Sequence, residues 1–160
     1  MADSYLTSTD LQHFINTYQI KATILSLVEY TPTVLDAARV LDVEADRIIK
    51  SLVFLVNDEP LLVINNGLAR VDRGKIAGRL GIGKKRVKFA NAEQALAITG
   101  YVVGSMPPFG HRQQLPTFVD PAITEYDTVF GGGGDINAML ELTPEELLRV
   151  TKGEILQVSE

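Results

Sequence analysis

Apolar residues recur at Leu11, Phe14, Ile15 and Tyr18, the spacing of one helix face, just after the capping residues Ser8 and Thr9. A first helix is therefore expected from about Asp10 to Tyr18. "KATILSL" is rich in β-forming residues and reads as the first strand. Thr33 with Asp36 forms a cap, and Val34, Ala37, Ala38 and Leu41 give a short helix face. A helical turn near Glu44–Arg47 leads into "IIKSLVFLV", whose unbroken apolar character suits a central strand. "NDEP" is a turn and "LLVIN" a return strand, so residues 50–65 are expected to form a hairpin.

Further on, Asp72 opens a basic helix to about Leu80, and "VKF" is a short strand. Asn91 caps a helix from Ala92 to Ile98 that Gly100 ends. "YVV", "PTFVD" and "DTVF" are expected strands, "GGGG" breaks the chain, and "AMLEL" resumes as strand. Thr143 with Pro144 opens a last short helix, and "EILQV" reads as a final strand. Adjacent hairpins mixed with helix-separated strands predict an α+β fold, a mixed and largely antiparallel sheet with surrounding helices. At 160 residues, 46% hydrophobic, one domain spanning 1–160 is the expectation.

Composition narrows the chemistry. The chain has no cysteine, which excludes disulfides, thiolate metal sites and a cysteine nucleophile. Its start has neither the basic nor the apolar region of a signal peptide, and no apolar run approaches a membrane span. A soluble cytoplasmic protein is expected. The net charge of −5 argues against a general nucleic-acid coat. Yet Arg70, Arg73, Lys75, Arg79, Lys84, Lys85, Arg86 and Lys88 face Asp72 alone within one segment, a local balance of +7. That segment is either a solvated surface or the seat of one anionic partner.

Several motifs fail on inspection. "GRLGIGKK" matches the G-x-x-x-x-G-K of a phosphate loop, but Lys85 stands where magnesium needs a hydroxyl, and a basic helix precedes it in place of a buried strand. "GGGG" lacks a dinucleotide-binding context and is either a hairpin tip or a close approach to a ligand. No serine sits in G-x-S-x-G. His13 is a helix-surface residue, and two distant histidines make no metal site. His111 follows the Gly/Pro corner "GSMPPFG" and is a general-base candidate by position alone. The corner is either a rigid hairpin or a wall presenting backbone amides. Lys50 opens the most hydrophobic strand, where it either snorkels to solvent or holds a cation at the lip of an apolar pocket.

"RIIKSLVFLVNDEPLLVINNGLARVD", followed by "TGYVVGSMPPFG", "LPTFVD" and "FGGGG…LEL", resembles the YbaK/ProX-type aminoacyl-tRNA deacylases, the family of the prolyl-tRNA synthetase editing domain. The resemblance runs from about Thr33 to Val150. It implies hydrolysis of the ester between a wrong amino acid and the 3′-terminal adenosine of tRNA, without a cofactor or a metal. The family lysine falls on Lys50, and the G-x-x-x-P element on Gly104 and Pro108. The resemblance implies catalysis by Lys50 with backbone amides at Gly104 and Ser105 stabilising the oxyanion. Met106, Pro108, Phe109, His111, Gly132 and Gly133 are the expected substrate-binding residues, and Arg73, Lys84, Lys85 and Arg86 the expected tRNA contacts. The implied partners are mischarged tRNA and an aminoacyl-tRNA synthetase, with neither membrane nor DNA. Ser105, Asp42 and Met139 depart from common family patterns, and Ser105 and Met139 bear on which amino acid is removed. The competing reading is a non-catalytic module that binds an aminoacyl 3′ end or a synthetase.

Overall fold

A computed structural model describes residues 5–160. Helix α1 (Ser8–Thr17) opens with a complete capping box: Thr7 accepts from the backbone, and Asp10 accepts from the Thr7 amide at 2.8 Å. Strand β1 (Ala22–Ser26) and helix α2 (Val34–Leu41) follow, α2 capped by the Thr33 hydroxyl as the sequence predicts. Strands β2 (Ile49–Val56) and β3 (Glu59–Asn66) form the expected hairpin. Its two turn residues, Asn57 and Asp58, both have positive φ, which suits the right-handed twist of the paired strands. Helix α3 (Arg73–Leu80), strand β4 (Val87–Phe89) and helix α4 (Ala92–Thr99) come next. Strands β5 (Thr117–Val119), β6 (Val129–Gly132) and β7 (Ala138–Leu142), helix α5 (Pro144–Thr151) and strand β8 (Glu154–Ile155) complete the chain.

The strands form two sheets. One is antiparallel in the order β1-β7-β6, and the other is mixed in the order β4-β2-β3-β5-β8. Among the described residues a single parallel bridge, between Ile48 and Phe130, joins them. Side chains alternate along β2 between two apolar clusters. Ile49 and Val53 point into the larger one, with Leu11, Met106 and Phe109. Leu52, Phe54 and Val56 point to the other, beneath Ile76 and Ala77 of α3. Among the described residues no helix is long and apolar enough to cross a membrane.

Two predicted strands and one predicted break need correction. Tyr101–Val103 is not a strand: Gly100 and Gly104 both have positive φ and bracket it, and the Ser105 amide closes a turn onto the Val102 carbonyl at 3.0 Å. "GGGG" does not simply break the chain, because Gly131 and Gly132 belong to β6 and pair with Leu140 and Met139. The final strand is shorter than "EILQV" suggests and pairs only through Glu154 and Ile155.

Candidate active site

The outer edge of β2 is covered in two places. β4 lies against it at Phe54–Val56, and β6 meets the residue just before it, Ile48. Between these joins the sheet has a notch, and a cavity of about 240 Å³ opens there. Ile49, Ser51 and Val53 enter it from one face of the strand, and Lys50 and Leu52 border it from the other. Its remaining walls come from α2 and the loop before it, Phe89 and Ala90, the corner at Gly104 and Met106, and Gly132 with Met139. The lining is largely apolar, and Lys50 is its one ionisable side chain.

Lys50 is half-buried, and its Nζ donates to the Ala69 carbonyl at 2.5 Å. Asn65, its cross-strand partner, donates to the same carbonyl at 3.0 Å. Burial pulls the Lys50 amine below its ordinary pKa. An ammonium has three protons, so the Ala69 contact leaves two for an oxygen brought into the notch.

The corner 104–110 is built from interlocking backbone contacts. Gly104 adopts φ +99°, a conformation open to glycine, although a Cβ there would meet nothing within 4 Å. Ser105 is 2% exposed, and both its amide and its hydroxyl donate to the Val102 carbonyl, the hydroxyl at 2.8 Å. The expectation of a free Ser105 amide is therefore not met: the turn consumes it. The glycine strand lies directly on this corner. A Cβ on Gly132 would sit 2.1 Å from the Met106 carbonyl oxygen, and the Gly134 amide donates to the Ser105 carbonyl at 2.9 Å. The close backbone approach that "GGGG" permits is thus first to the corner. Gly133 packs against the backbone of Ala138 and Met139 and does not line the cavity.

Lys50, Gly104, Met106 and Gly132 thus meet at one cavity. Pro108, Phe109 and His111 instead line a second cavity of about 440 Å³ on the far side of the corner, with Phe14, Tyr18 and the end of α5. There His111 Nε2 contacts the Pro107 carbonyl at 2.8 Å, and its ring meets Tyr101 edge-on. Burial lowers the His111 pKa to about 4, with the Pro107 contact opposing in part. A neutral ring that donates Nε2–H to Pro107 is a brace of the corner, and it does not border the notch.

The basic segment lies on the α3 side. Arg73 donates to the Val87 carbonyl at 3.1 Å and Arg86 to Asn57 at 3.2 Å, while Lys84 and Lys85 are exposed. β4 carries the chain from that basic turn to Phe89 at the cavity mouth, a distance of about 10 Å at ~3.3 Å per residue. Phe89 is 61% exposed, its ring 5.3 Å from that of Phe54. Sequence reading overlooked Phe89 and Ser51 as cavity residues, because only the gap in the ladder brings them there.

The profile of the family described as "Aminoacyl-tRNA editing domain" matches residues 28–150, a segment that includes every residue lining the notch. The chain belongs to the aminoacyl-tRNA editing domain family. It is 29% identical over 123 residues to the "Putative Cys-tRNA(Pro)/Cys-tRNA(Cys) deacylase EbsC" of Enterococcus faecalis, covering 76% of this chain and 74% of that protein. A segment of 88 residues, 55% of this chain, is 31% identical to the "Proline--tRNA ligase" of Ligilactobacillus salivarius and covers 15% of that enzyme. Among solved structures, "a putative trans-editing enzyme for prolyl tRNA synthetase" superposes with TM-score 0.89 at 29% identity, covering 96% of both chains. The mixed α+β fold is therefore that of the family.

Proposed function

We propose that this editing-family protein is a free-standing aminoacyl-tRNA deacylase, which hydrolyses the ester joining an incorrect amino acid to the terminal ribose of tRNA. What supports the reading is the character of the notch: small, apolar, with one cation and no histidine or carboxylate among its lining residues. Such a site has no base of its own. It suits a substrate that is already an activated acyl group and needs orientation and charge stabilisation more than a nucleophile. The size of the cavity suits an aminoacyl group, and the bulk of the tRNA remains outside.

In this reading water attacks the ester carbonyl, with a hydroxyl of the substrate's own ribose placed to relay a proton, accepting one from the water while passing its own to the ribose oxygen that leaves. The Gly104 amide donates to the oxygen on which negative charge develops. Lys50 binds a phosphate oxygen of the terminal nucleotide or the carbonyl oxygen of the ester with the protons it does not spend on Ala69. Collapse of the tetrahedral intermediate breaks the bond to the ribose oxygen, which keeps the relayed proton, and the amino acid leaves as a carboxylate with its acid proton lost to solvent. Lys84 and Lys85 meet the tRNA backbone, and a synthetase supplies further affinity that an acidic protein lacks.

The test is single-turnover release of free amino acid from a panel of mischarged tRNAs. Lys50→Ala is expected to lower the rate roughly 10²-fold with the fold retained. Equal rates would remove Lys50 from the mechanism. Binding of aminoacyl-tRNA without release by the wild type would favour a non-catalytic module.

A further inference from the structure

Ser51 carries three polar groups at the wall of the notch. The ladder between β2 and β3 fixes the direction of two of them. The Gly67 amide donates to the Ile48 carbonyl at 2.8 Å, and the two-residue turn Asn57–Asp58 closes the same ladder. Even-numbered residues of β2 therefore direct N–H and C=O toward β3, and odd-numbered ones direct them outward. Val53 shows the outward direction, its carbonyl accepting from the Ala90 amide at 3.0 Å. Ser51 lies between that contact and the β6 join at Ile48, so among the described residues no strand pairs with its outward N–H and C=O. The Ser51 hydroxyl is buried and has no hydrogen-bond partner among the described residues. An open ladder rung beside an unsatisfied buried hydroxyl is a costly arrangement that a ligand would relieve.

The N–H and C=O of one extended residue lie side by side, one donor next to one acceptor. A ligand that completes the rung must offer an acceptor next to a donor at the same spacing. The amino and carbonyl groups of an α-aminoacyl ester are such a pair, since they are the backbone of one amino acid. We propose that Ser51 is the subsite for the aminoacyl backbone. Its carbonyl and hydroxyl accept from the substrate's α-ammonium, and its N–H donates to the ester carbonyl. The aminoacyl group docks as one rung added to the open edge of β2. Its side chain is then directed among the apolar residues of the notch, and its carbonyl faces the Gly104 corner. The assignment rests on the deacylase reading and adds what the site recognises independently of the side chain: a free α-amino group.

The test alters the substrate first, so that folding is not at issue. Wild-type protein is given alanyl-tRNA, the same tRNA carrying lactate in place of alanine, and N-acetylalanyl-tRNA. Lactate replaces the ammonium by a hydroxyl, and acetylation removes its charge and blocks its approach to the strand. The expected result is a roughly tenfold loss with lactate and a larger loss with the N-acetyl ester. In Ser51→Ala, the alanyl rate falls and the alanyl-to-lactyl ratio shrinks, because one acceptor of the ammonium is gone. Equal rates on all three esters, or an unchanged ratio in Ser51→Ala, would overturn the assignment while leaving the deacylase reading intact. If the wild type releases no acid from any mischarged tRNA, the deacylase reading fails and this assignment with it.

Discussion

Gly132→Ala places a methyl group where the structure has backbone. The added Cβ would lie 2.1 Å from the Met106 carbonyl oxygen, 2.6 Å from its carbon and 2.9 Å from the Ser105 carbonyl carbon. No rotamer can relieve this, because every atom it meets is main chain. The corner must move by roughly 1 Å to restore van der Waals separation. It is held from three sides: by Gly134 on Ser105, by Ser105 on Val102, and by His111 on Pro107. Overpacking of this kind costs about 1–3 kcal/mol, and a rigid neighbour puts Gly132→Ala at about 3 kcal/mol. For a chain of this length that lowers Tm by about 6–12 °C. A displacement of about 1 Å at Gly104 and Met106 also costs on the order of 10² in rate. Gly104→Ala is the control. It meets no atom within 4 Å, so its cost is confined to holding φ near +99°, about 1–2 kcal/mol. Urea unfolding and single-turnover deacylation of both variants separate the two effects. A Gly132→Ala protein with wild-type midpoint and wild-type rate would refute the contact between the glycine strand and the corner.

Two further outcomes follow from the electrostatics. The His111 pKa falls from its ordinary 6.5 to about 4 on folding, so the folded state binds fewer protons in that window. Its contribution is fully present above about pH 6.5 and is lost as pH falls toward 4, at up to about 1.4 kcal/mol per pH unit. His111→Gln should flatten the loss of urea stability between pH 6.5 and 4.5 and leave the pH dependence of deacylation unchanged; a variant as acid-sensitive as wild type would contradict the buried neutral ring. Lys84→Glu with Lys85→Glu should raise the apparent Kd for tRNA and reduce the slope of log K against log salt by about 1.5, with little change in the rate at saturating tRNA. An unchanged salt slope would move the tRNA backbone off the basic turn.

Most helices were legible because their signals are local. Thr33 before α2, Asn91 before α4 and Thr143 before α5 each accept from a backbone amide of the first turn, as their sequence context predicts. The β2–β3 hairpin was legible for the same reason, since its turn residues lie between two apolar runs. Tyr101–Val103 misled because β-propensity states only that a residue suits a pleated, half-buried surface. That segment has no neighbouring strand, and the flanking glycines turn it away.

The site was legible in part, and the division has a physical cause. Lys50 stands out in sequence because a cation interrupts an apolar strand. Gly104 and Gly132 stand out as glycines, but for reasons that differ: Gly104 for its backbone angle, Gly132 for the carbonyl that lies against it. His111 drew attention through its position after the corner, and the fold places it at the second cavity, away from the notch. Ser51 carried no signal, being one small polar residue within a strand. What distinguishes it is an absence in the ladder, and that absence depends on where β4 ends and where β6 begins to touch β2. Those limits are set by residues some forty to eighty positions away in the chain. Binding capacity here belongs to a gap between strands, so no window of sequence around Ser51 contains it.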